Sequence, residues 1–296
     1  YGRVGYEVND RLDLNAGARL EYVDSSINRI KTDAFFNSSR VLGDVSGWYF
    51  SPELGAGYQV SDSTLLFART AIGTKPDGYS AFASTPATAR YDDEVVWNNE
   101  VGVAFSVPEH GLDLSLTGFW NRIDDYQLNR PGVGTTDFYI VNAERVSSLG
   151  AEAELLWRPC DRFTLRGSFG YTDTEFDRYA DPLLAGVRYD GNQVPYIPEF
   201  TGSLGARYEI GGGFYVQTAL RTTGGTYFNE ANQVRFRQGA FWTWDAEAGY
   251  ANDKFSVAVY GRNLLDEEYY SFINPQIAAG TPGDPQRFGV RVRVAF

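Results

Sequence analysis

The chain has 296 residues, and no Pro- or Ser-rich linker divides it, so we expect a single architecture over residues 1–296. Its net charge of -12 argues against a nucleic-acid role, because a phosphate backbone would be repelled. The single cysteine excludes an internal disulfide framework, and no window approaches the roughly 18 apolar residues of a membrane helix.

Apolar and polar residues alternate along most of the chain, which is the pattern of β-strands with two unlike faces. The apolar positions include Leu12, Leu14, Ala16, Ala18 and Leu20; Val101, Val103 and Phe105; Leu149, Ala151, Ala153 and Leu155; Trp242, Trp244, Ala246 and Ala248; and Val290, Val292 and Val294. The positions between them are small, polar or charged. About thirteen such segments predict an all-β protein.

The connections between these segments alternate between short and long. The short ones hold the Asn, Asp, Gly and Pro residues of tight turns. The long ones are expected at 26–46, 72–92, 129–136, 177–198, 224–239 and 265–286. Outer-membrane barrels have short turns at one rim and long loops at the other, whereas sandwiches and propellers have no reason to separate loop lengths. We therefore expect an antiparallel up-and-down transmembrane β-barrel with its apolar faces in lipid.

Few residues are candidates for catalysis or metal binding. The one histidine, His110, lies in a turn expected at the periplasmic rim, away from any serine that faces the bore, so we expect no hydrolase triad and no enzyme. The acidic run at 92–94 lacks the spacing of a calcium loop and is interpreted as a solvated loop face. No metal site and no cofactor are expected. An outer-membrane lipase or protease, and an adhesin or soluble binding module, are the rival interpretations.

Several motifs resemble those of TonB-dependent outer-membrane receptors, the gated transporters for ferric siderophores, cobalamin and some sugars. Residues 261–270 (GRNLLDEEYY) are similar to the family's penultimate-strand signature, and residues 282–290 resemble the approach to its last strand. Residues 195–199 and 116–121 resemble motifs of earlier strands. Phe296 matches the C-terminal aromatic residue that the barrel-assembly machinery reads.

The resemblance implies a barrel of roughly twenty-two strands around an N-terminal plug. A short N-terminal segment would contact the energy-transducing complex of TonB, ExbB and ExbD, but nothing in this chain resembles the plug or that segment. The chain would then be the C-terminal part of the barrel, about strands ten to twenty-two. An odd number of antiparallel strands cannot close on itself, so we expect a partial, open barrel.

The resemblance also implies a function and a location. The chain would belong to the bacterial outer membrane, in contact with its lipid, and would serve active uptake of a bulky ligand. A ferric siderophore is the first expectation. A cobalamin or oligosaccharide receptor of the same family and a passive porin-like channel are the alternatives.

Bulky, aromatic or anionic ligands are suited to aromatic rings and arginines on the long loops. The expected ligand contacts are Tyr79, Phe82, Arg90, Tyr91, Phe138, Tyr139, Tyr227, Phe228, Arg235 and Phe236. Charged residues on the polar strand faces are expected to line the bore and meet the plug. These are Glu53, Glu100, Glu152, Glu154, Arg19, Arg262, Arg291 and Arg293.

Overall fold

A computed structural model describes residues 1–32, 38–83, 88–131, 138–182 and 184–294. These residues form a 13-stranded antiparallel sheet in which the strands follow the order of the chain. The strands are β1 (Gly2–Asn9), β2 (Leu12–Thr32), β3 (Ser38–Ser61), β4 (Thr64–Lys75), β5 (Glu94–Val107), β6 (Leu112–Pro131), β7 (Phe138–Cys160), β8 (Phe163–Arg178), β9 (Phe200–Gly211), β10 (Phe214–Thr223), β11 (Phe241–Ala251), β12 (Phe255–Arg262) and β13 (Arg287–Val294). The two edge strands, β1 and β13, do not pair with each other, so the predicted open all-β sheet is confirmed.

The long connections contain smaller elements. Two-stranded ribbons are formed by Gly78–Tyr79 with Arg90–Tyr91, by Thr226–Tyr227 with Arg237–Gln238, and by Tyr270–Asn274 with Ala279–Pro282. Short 3-10 turns lie at Pro108–His110 and Val234–Phe236. Across the described ranges, no helix has the length and apolar character needed to cross a membrane.

Short and long connections alternate as predicted, but one predicted loop is largely strand and another overlaps the end of a strand. β2 and β3 pair without interruption up to Thr32 opposite Ser38, so most of 26–46 is a long hairpin. β6 likewise continues to Pro131, inside the loop expected at 129–136. The apolar and polar alternation fades where a strand leaves the lipid, because both of its faces then meet water or loops. The sequence pattern therefore marks the membrane-spanning part of a strand and misses its extension.

The two faces of the sheet differ as the alternation predicts. Val290 and Val292 are 64% and 62% exposed, and no second layer of the described chain covers them. We call their side the apolar face. Arg291, between them, points to the opposite side and pairs with Glu247 on β11. We call that side the polar face, and the exposure of the valines excludes a soluble sandwich with a dry core between two sheets.

The hydrophobic core lies at the long-loop end of the sheet. Its larger cluster is formed by Val41, Ala83, Ala89, Leu128, Tyr139, Val141, Ala143, Val146, Phe176, Tyr179, Tyr189 and Val194. A smaller cluster is formed by Phe228, Phe236 and Ile273. Strand ends and loops supply these residues together, so the core fixes the long loops against the sheet and leaves the rest of the wall one layer thick.

Glycines let aromatic rings lie flat on the polar face. Tyr215 on β10 lies over Gly249, its register partner on β11, where a Cβ would come within 2.8 Å of the ring. Phe119 on β6 covers Gly150 on β7 in the same way. Any larger residue at these two glycines would displace a ring, which explains glycine inside otherwise regular strands.

Candidate functional site

Side-chain hydrogen bonds and ion pairs cross the polar face from strand to strand. At its N-terminal end, Glu53 accepts from Arg69 at 2.8 Å and lies 3.5 Å from Arg3. On β5, the Asn98 amide donates to Asn121 of β6 at 2.7 Å. Polar groups on neighbouring strands thus satisfy one another, which stabilises the wall without a hydrophobic layer behind it.

The densest group of charges lies on β10 to β13. Oδ2 of Asp245 accepts from Arg221 at 2.6 Å and from Arg262 at 2.8 Å. Oε2 of Glu247 accepts from Arg291 at 3.0 Å. Both carboxylates are buried, whereas the arginines are partly exposed. Charge-assisted hydrogen bonds offset the burial of the carboxylates and leave guanidinium groups facing the open side of the wall.

Asn263 begins the last long loop and connects it to this group. Its φ is +47°, a left-handed conformation that asparagine tolerates better than most residues. Its side-chain amide donates to the carbonyls of Glu267 at 2.9 Å and Asp284 at 3.1 Å, and its Oδ1 accepts the N–H of Glu267 at 3.0 Å. The asparagine of the signature at 261–270 therefore shapes the loop and ties its two ends together.

Arg130, which is largely but not fully buried, joins two of the other long loops. Arg130, near the end of β6, donates to Asp181 at 2.9 Å, to Glu230 at 3.0 Å and to the Tyr179 hydroxyl at 3.4 Å. Asp181 and Tyr179 belong to the connection between β8 and β9, and Glu230 to the connection between β10 and β11. Tyr189 completes the group by donating to Asp181 at 3.1 Å. We call these five residues the loop clasp.

Titration in the loop clasp favours charged arginine and neutral tyrosine. The loop clasp lies outside the membrane-spanning part of the strands, which is roughly 9–11 residues long. Burial acts to lower the pKa of Arg130, but its hydrogen bond to Asp181 and the charge of Glu230 outweigh that effect and raise the pKa. Burial raises the pKa of Tyr179, with Arg130 opposing it. Burial and the hydrogen bond to Asp181 both raise the pKa of Tyr189.

An aromatic platform lies on the loops near the smaller core. The rings of Tyr196 and Phe272 are nearly parallel at 11°, with centroids 6.0 Å apart, and Phe228 meets both edge-on. Tyr196 and Phe272 are 47% and 38% exposed, whereas Phe228 is buried beneath them. Tyr196 has a φ of +69°, and its N–H donates to the carbonyl of Tyr227 at 2.8 Å. A strained tyrosine is thus held with its ring accessible.

The open antiparallel sheet, with its long loops at one end, agrees with the family that sequence comparison identifies. The family described as TonB dependent receptor-like, beta-barrel, matches residues 1–264. The chain belongs to this family of TonB-dependent receptors. It is accordingly part of an outer-membrane β-barrel, so the polar face is the side of the bore and the apolar face is the side of the lipid.

Curated relatives include receptors of two genera. The pesticin receptor of Yersinia enterocolitica is 26% identical over 314 residues, which cover 100% of this chain and 43% of the receptor. The ferric-pyoverdine M114 receptor PbuA of Pseudomonas sp. (strain M114) is 31% identical over 165 residues, covering 53% of this chain and 19% of the receptor. The chain therefore spans less than half the length of these relatives.

Solved structures show the same fold. The ferric yersiniabactin uptake receptor FyuA from Yersinia pestis superposes with a TM-score of 0.84 at 24% sequence identity, covering 99% of this chain and 44% of that chain. The ferric-catecholate import receptor Fiu from Escherichia coli K12, in its closed form, gives a TM-score of 0.77 at 17% identity, with coverage of 97% and 42%. Residue roles do not transfer at these identities, so the site is argued from this chain's own geometry.

The structure divides the ten residues predicted to contact ligand. Tyr139, Phe228 and Phe236 are each 5% exposed and pack inside the two loop cores. These three rings support the loops, and their role as ligand contacts stays a prediction. Phe138 begins β7, but its side chain lies outside the described residues. The others are half-buried or exposed, namely Tyr79, Phe82, Arg90, Tyr91, Tyr227 and Arg235.

The sequence did not single out the exposed members of the aromatic platform. Tyr196 lies within the motif at 195–199, but that motif was identified by its two prolines and not by the tyrosine between them. Phe272 lies on the ribbon of the last long loop, far from Phe228 in the chain. Only the fold brings them together. These two rings are added to the loop residues that were predicted to contact ligand.

The charged residues predicted to line the bore also fall into groups. Glu53, Arg262 and Arg291 form the ion pairs described above, and Arg19 pairs with Glu21 at 2.8 Å. Glu100 is half-buried. The remaining charges are exposed, namely Glu152, Glu154 and Arg293. Their contact with a plug stays a prediction.

Two further expectations concern the acidic run and the chain end. Glu94 is buried, and its carboxylate accepts the N–H of Gln127 at 2.7 Å, so the run at 92–94 is not wholly a solvated face as expected. Within the described ranges, no group of three or more His, Cys, Asp or Glu residues is placed to hold a metal ion. Phe296, predicted as the assembly signal, lies outside the described residues.

Proposed function

We propose that the whole protein, of which this chain forms a part, takes up a ferric siderophore across the outer membrane with energy supplied through TonB. The supporting observation is the match of residues 1–264 to a receptor family, together with the similarity of the chain to a ferric-pyoverdine receptor and a ferric yersiniabactin uptake receptor. We further propose that residues 1–296 are the C-terminal part of its barrel. The protein moves its ligand unchanged and is not an enzyme.

The loop geometry is suited to such a ligand. Ferric siderophores are bulky and often aromatic or anionic. The loops expose Tyr196 and Phe272 as one platform, and they also expose Arg235, which is next to the buried Phe236 in the chain. The loop clasp fixes two long loops against Arg130 at the end of β6 before any ligand arrives. A fixed surface loses less conformational entropy on binding than a mobile one, which favours tight capture of a scarce ligand.

The partners follow from the same proposal. TonB, with ExbB and ExbD, would deliver energy through an N-terminal segment of the whole protein. The barrel-assembly machinery would recognise Phe296. The charged polar face would meet a plug by reversible polar contacts, and the apolar face would contact outer-membrane lipid. The iron is cargo within its chelate, so the protein needs no resident metal or cofactor.

The test is uptake of radioactive iron by cells that lack the gene. Iron is supplied as ferric yersiniabactin, as ferric pyoverdine or as a ferric catecholate, with and without depletion of TonB. We expect one chelate to lose its uptake on deletion and to lose it equally on TonB depletion. Unchanged uptake of all three chelates rejects the siderophore assignment. Uptake that survives TonB depletion identifies a passive channel, and loss of cobalamin uptake alone identifies a cobalamin receptor.

A pair of variants tests the aromatic platform within the same assay. Phe272→Ala removes an exposed ring of the platform, whereas Phe288→Ala removes an exposed ring of the apolar face at the start of β13, outside the platform. We expect Phe272→Ala to lower uptake at limiting chelate by about fivefold, in line with the loss of one stacking contact. Equal uptake by the two variants counts against the platform as the ligand surface.

A further inference from the structure

A cleft in the polar face crosses β8 to β12 and carries more positive than negative charge. Its volume is about 310 Å³. Its charged lining consists of Arg166, Arg207, Arg221, Arg262, Asp245 and Glu247. Four guanidinium groups thus face two carboxylates in a chain whose net charge is -12. The local excess of positive charge is opposite in sign to the net charge of the whole chain, and it favours the binding of an anion.

The carboxylates of the cleft are already engaged. Asp245 accepts two arginines on Oδ2 and the N–H of Asn263 on Oδ1. Glu247 accepts Tyr215 on Oε1 at 2.8 Å and Arg291 on Oε2 at 3.0 Å. Every carboxylate oxygen therefore has a donor. Each arginine, in contrast, carries five N–H donors, and only some of them are used.

Arg207 is held in place by side chains of its own strand and of β10. It donates to Glu209 at 2.7 Å and to Gln217 at 3.0 Å, and its guanidinium lies 3.8 Å from the centroid of the Tyr215 ring. The planar group is therefore fixed at the cleft wall. A fixed guanidinium loses little entropy when it binds a further acceptor, which makes it a better anion ligand than a free one.

Arg166 supplies the unsatisfied charge. It lies on β8, its side chain is exposed, and among the residues that the structure describes it has no hydrogen bond or ion pair. Its register partners are Gly205 on β9 and Leu156 on β7, so neither neighbouring strand offers a polar side chain directly opposite it. The guanidinium is left available to a group in the cleft.

We propose that this arginine cleft binds an anionic group, a carboxylate or phosphate, carried by a solute within the bore. Guanidinium forks match the paired oxygens of carboxylate and phosphate, and a concave wall backed by lipid strengthens their attraction. Only the origin of the anion, as part of the transported ligand, rests on the proposed uptake function. The binding itself depends on the charges of the wall.

The experiment uses the full-length receptor purified in detergent and inorganic phosphate as the probe. Phosphorus NMR linewidths give phosphate affinity for the wild type, Arg166→Gln and Arg166→Lys. We expect Arg166→Gln to bind phosphate about fivefold more weakly, the effect of losing one exposed charge pair, and Arg166→Lys, which keeps the charge but loses the guanidinium fork, to fall between the two. Added salt should weaken binding to the wild type more than to Arg166→Gln.

Arg158→Gln is the matched control. Arg158 is an exposed arginine on β7 that does not line the cleft. Its removal changes the net charge equally, and we expect wild-type phosphate affinity. Equal affinity of the wild type and Arg166→Gln overturns the proposal, including the case in which a carboxylate from another segment already fills the cleft. Heat-dependent gel migration confirms that each variant is folded.

Failure of this proposal can be told apart from failure of the uptake function. Loss of iron uptake in the gene deletion, together with absent phosphate binding, rejects the cleft and leaves the uptake function standing. Phosphate binding that depends on Arg166, in a strain whose iron uptake survives the deletion, supports the cleft and rejects the uptake function.

Discussion

The Asp245 carboxylate accepts the backbone N–H of Asn263 at 3.0 Å, and this bond joins the polar face to the last long loop. The same carboxylate holds Arg221 and Arg262 through its other oxygen. One buried side chain therefore fixes the strand wall and the first residue of the loop together. The asparagine of the signature is required for its conformation as well as for its hydrogen bonds.

Replacing Asn263 should weaken this junction. Asn263→Ala removes three side-chain hydrogen bonds and places alanine at a φ of +47°. We expect the free energy of unfolding to fall by about 2–3 kcal/mol. Urea unfolding of the full-length receptor in detergent, followed by tryptophan fluorescence, measures the loss.

Asn263→Gly separates the two causes, because glycine adopts this conformation without strain but makes no side-chain hydrogen bond. Its loss should be smaller than that of alanine. If both variants unfold at the wild-type urea concentration, the junction does not contribute to stability.

Arg130 should control the order of two long loops at once. Arg130→Gln leaves the carboxylates of Asp181 and Glu230 without their shared cation, and breaking a buried ion pair of this kind costs about 3–5 kcal/mol. We expect amide hydrogen exchange to accelerate in 179–191 and around Glu230, while exchange in β10 and β11 stays unchanged. Mass spectrometry of exchanged peptides resolves these segments.

The matched control for the loop clasp is Arg188→Gln. Arg188 pairs with Asp190 in the same loop at 2.7 Å, but both side chains are substantially exposed, and exposed pairs contribute about 0–1 kcal/mol. We expect little change in exchange. Equal acceleration by Arg188→Gln and Arg130→Gln would show that any charge change in the loop has the same effect and that the clasp has no special role.

The loop clasp should loosen at alkaline pH. The pKa values of Tyr179 and Tyr189 are raised above 10.0 in the folded protein, so the stability that they contribute is fully present below pH 10 and is lost as pH rises through their folded pKa values. Tyrosinate absorbance in a pH titration should show a late phase that follows the exposed tyrosines. Tyr179→Phe should reduce this phase, and a titration without any late phase in the wild type contradicts the burial of these hydroxyls.

The sequence predicts the strand wall well because lipid and water impose opposite demands on alternate residues. Val290 could only face lipid and Arg291 could only face the bore. The number of strand segments and the open order of strands followed from this alternation of apolar and polar residues. The alternation ends where a strand leaves the membrane. The continuation of β2 and β3 to Thr32 and Ser38 depends on backbone pairing, which two polar faces do not reveal.

The loops were predicted less well because their contacts are distant in the chain. Arg130 and Glu230 are one hundred positions apart, and no local pattern pairs them. An aromatic residue on a loop can face a ligand or a neighbouring loop, and composition does not distinguish these cases. Phe228 and Phe236, which were predicted as ligand contacts, lie in the smaller core, while Phe272 was missed.

Leu116 and Thr117 on β6 give a direct test of the two faces. Leu116 is exposed on the apolar face, whereas Thr117 lies opposite Glu152 on the polar face. Leu116→Arg places a charge in lipid and should lower the free energy of unfolding in vesicles by about 2–4 kcal/mol. Thr117→Arg gains Glu152 as a cross-strand partner and should fold as the wild type does. The folded fraction is read from heat-dependent gel migration of the full-length receptor, and greater loss for Thr117→Arg than for Leu116→Arg would show that the faces are assigned the wrong way round.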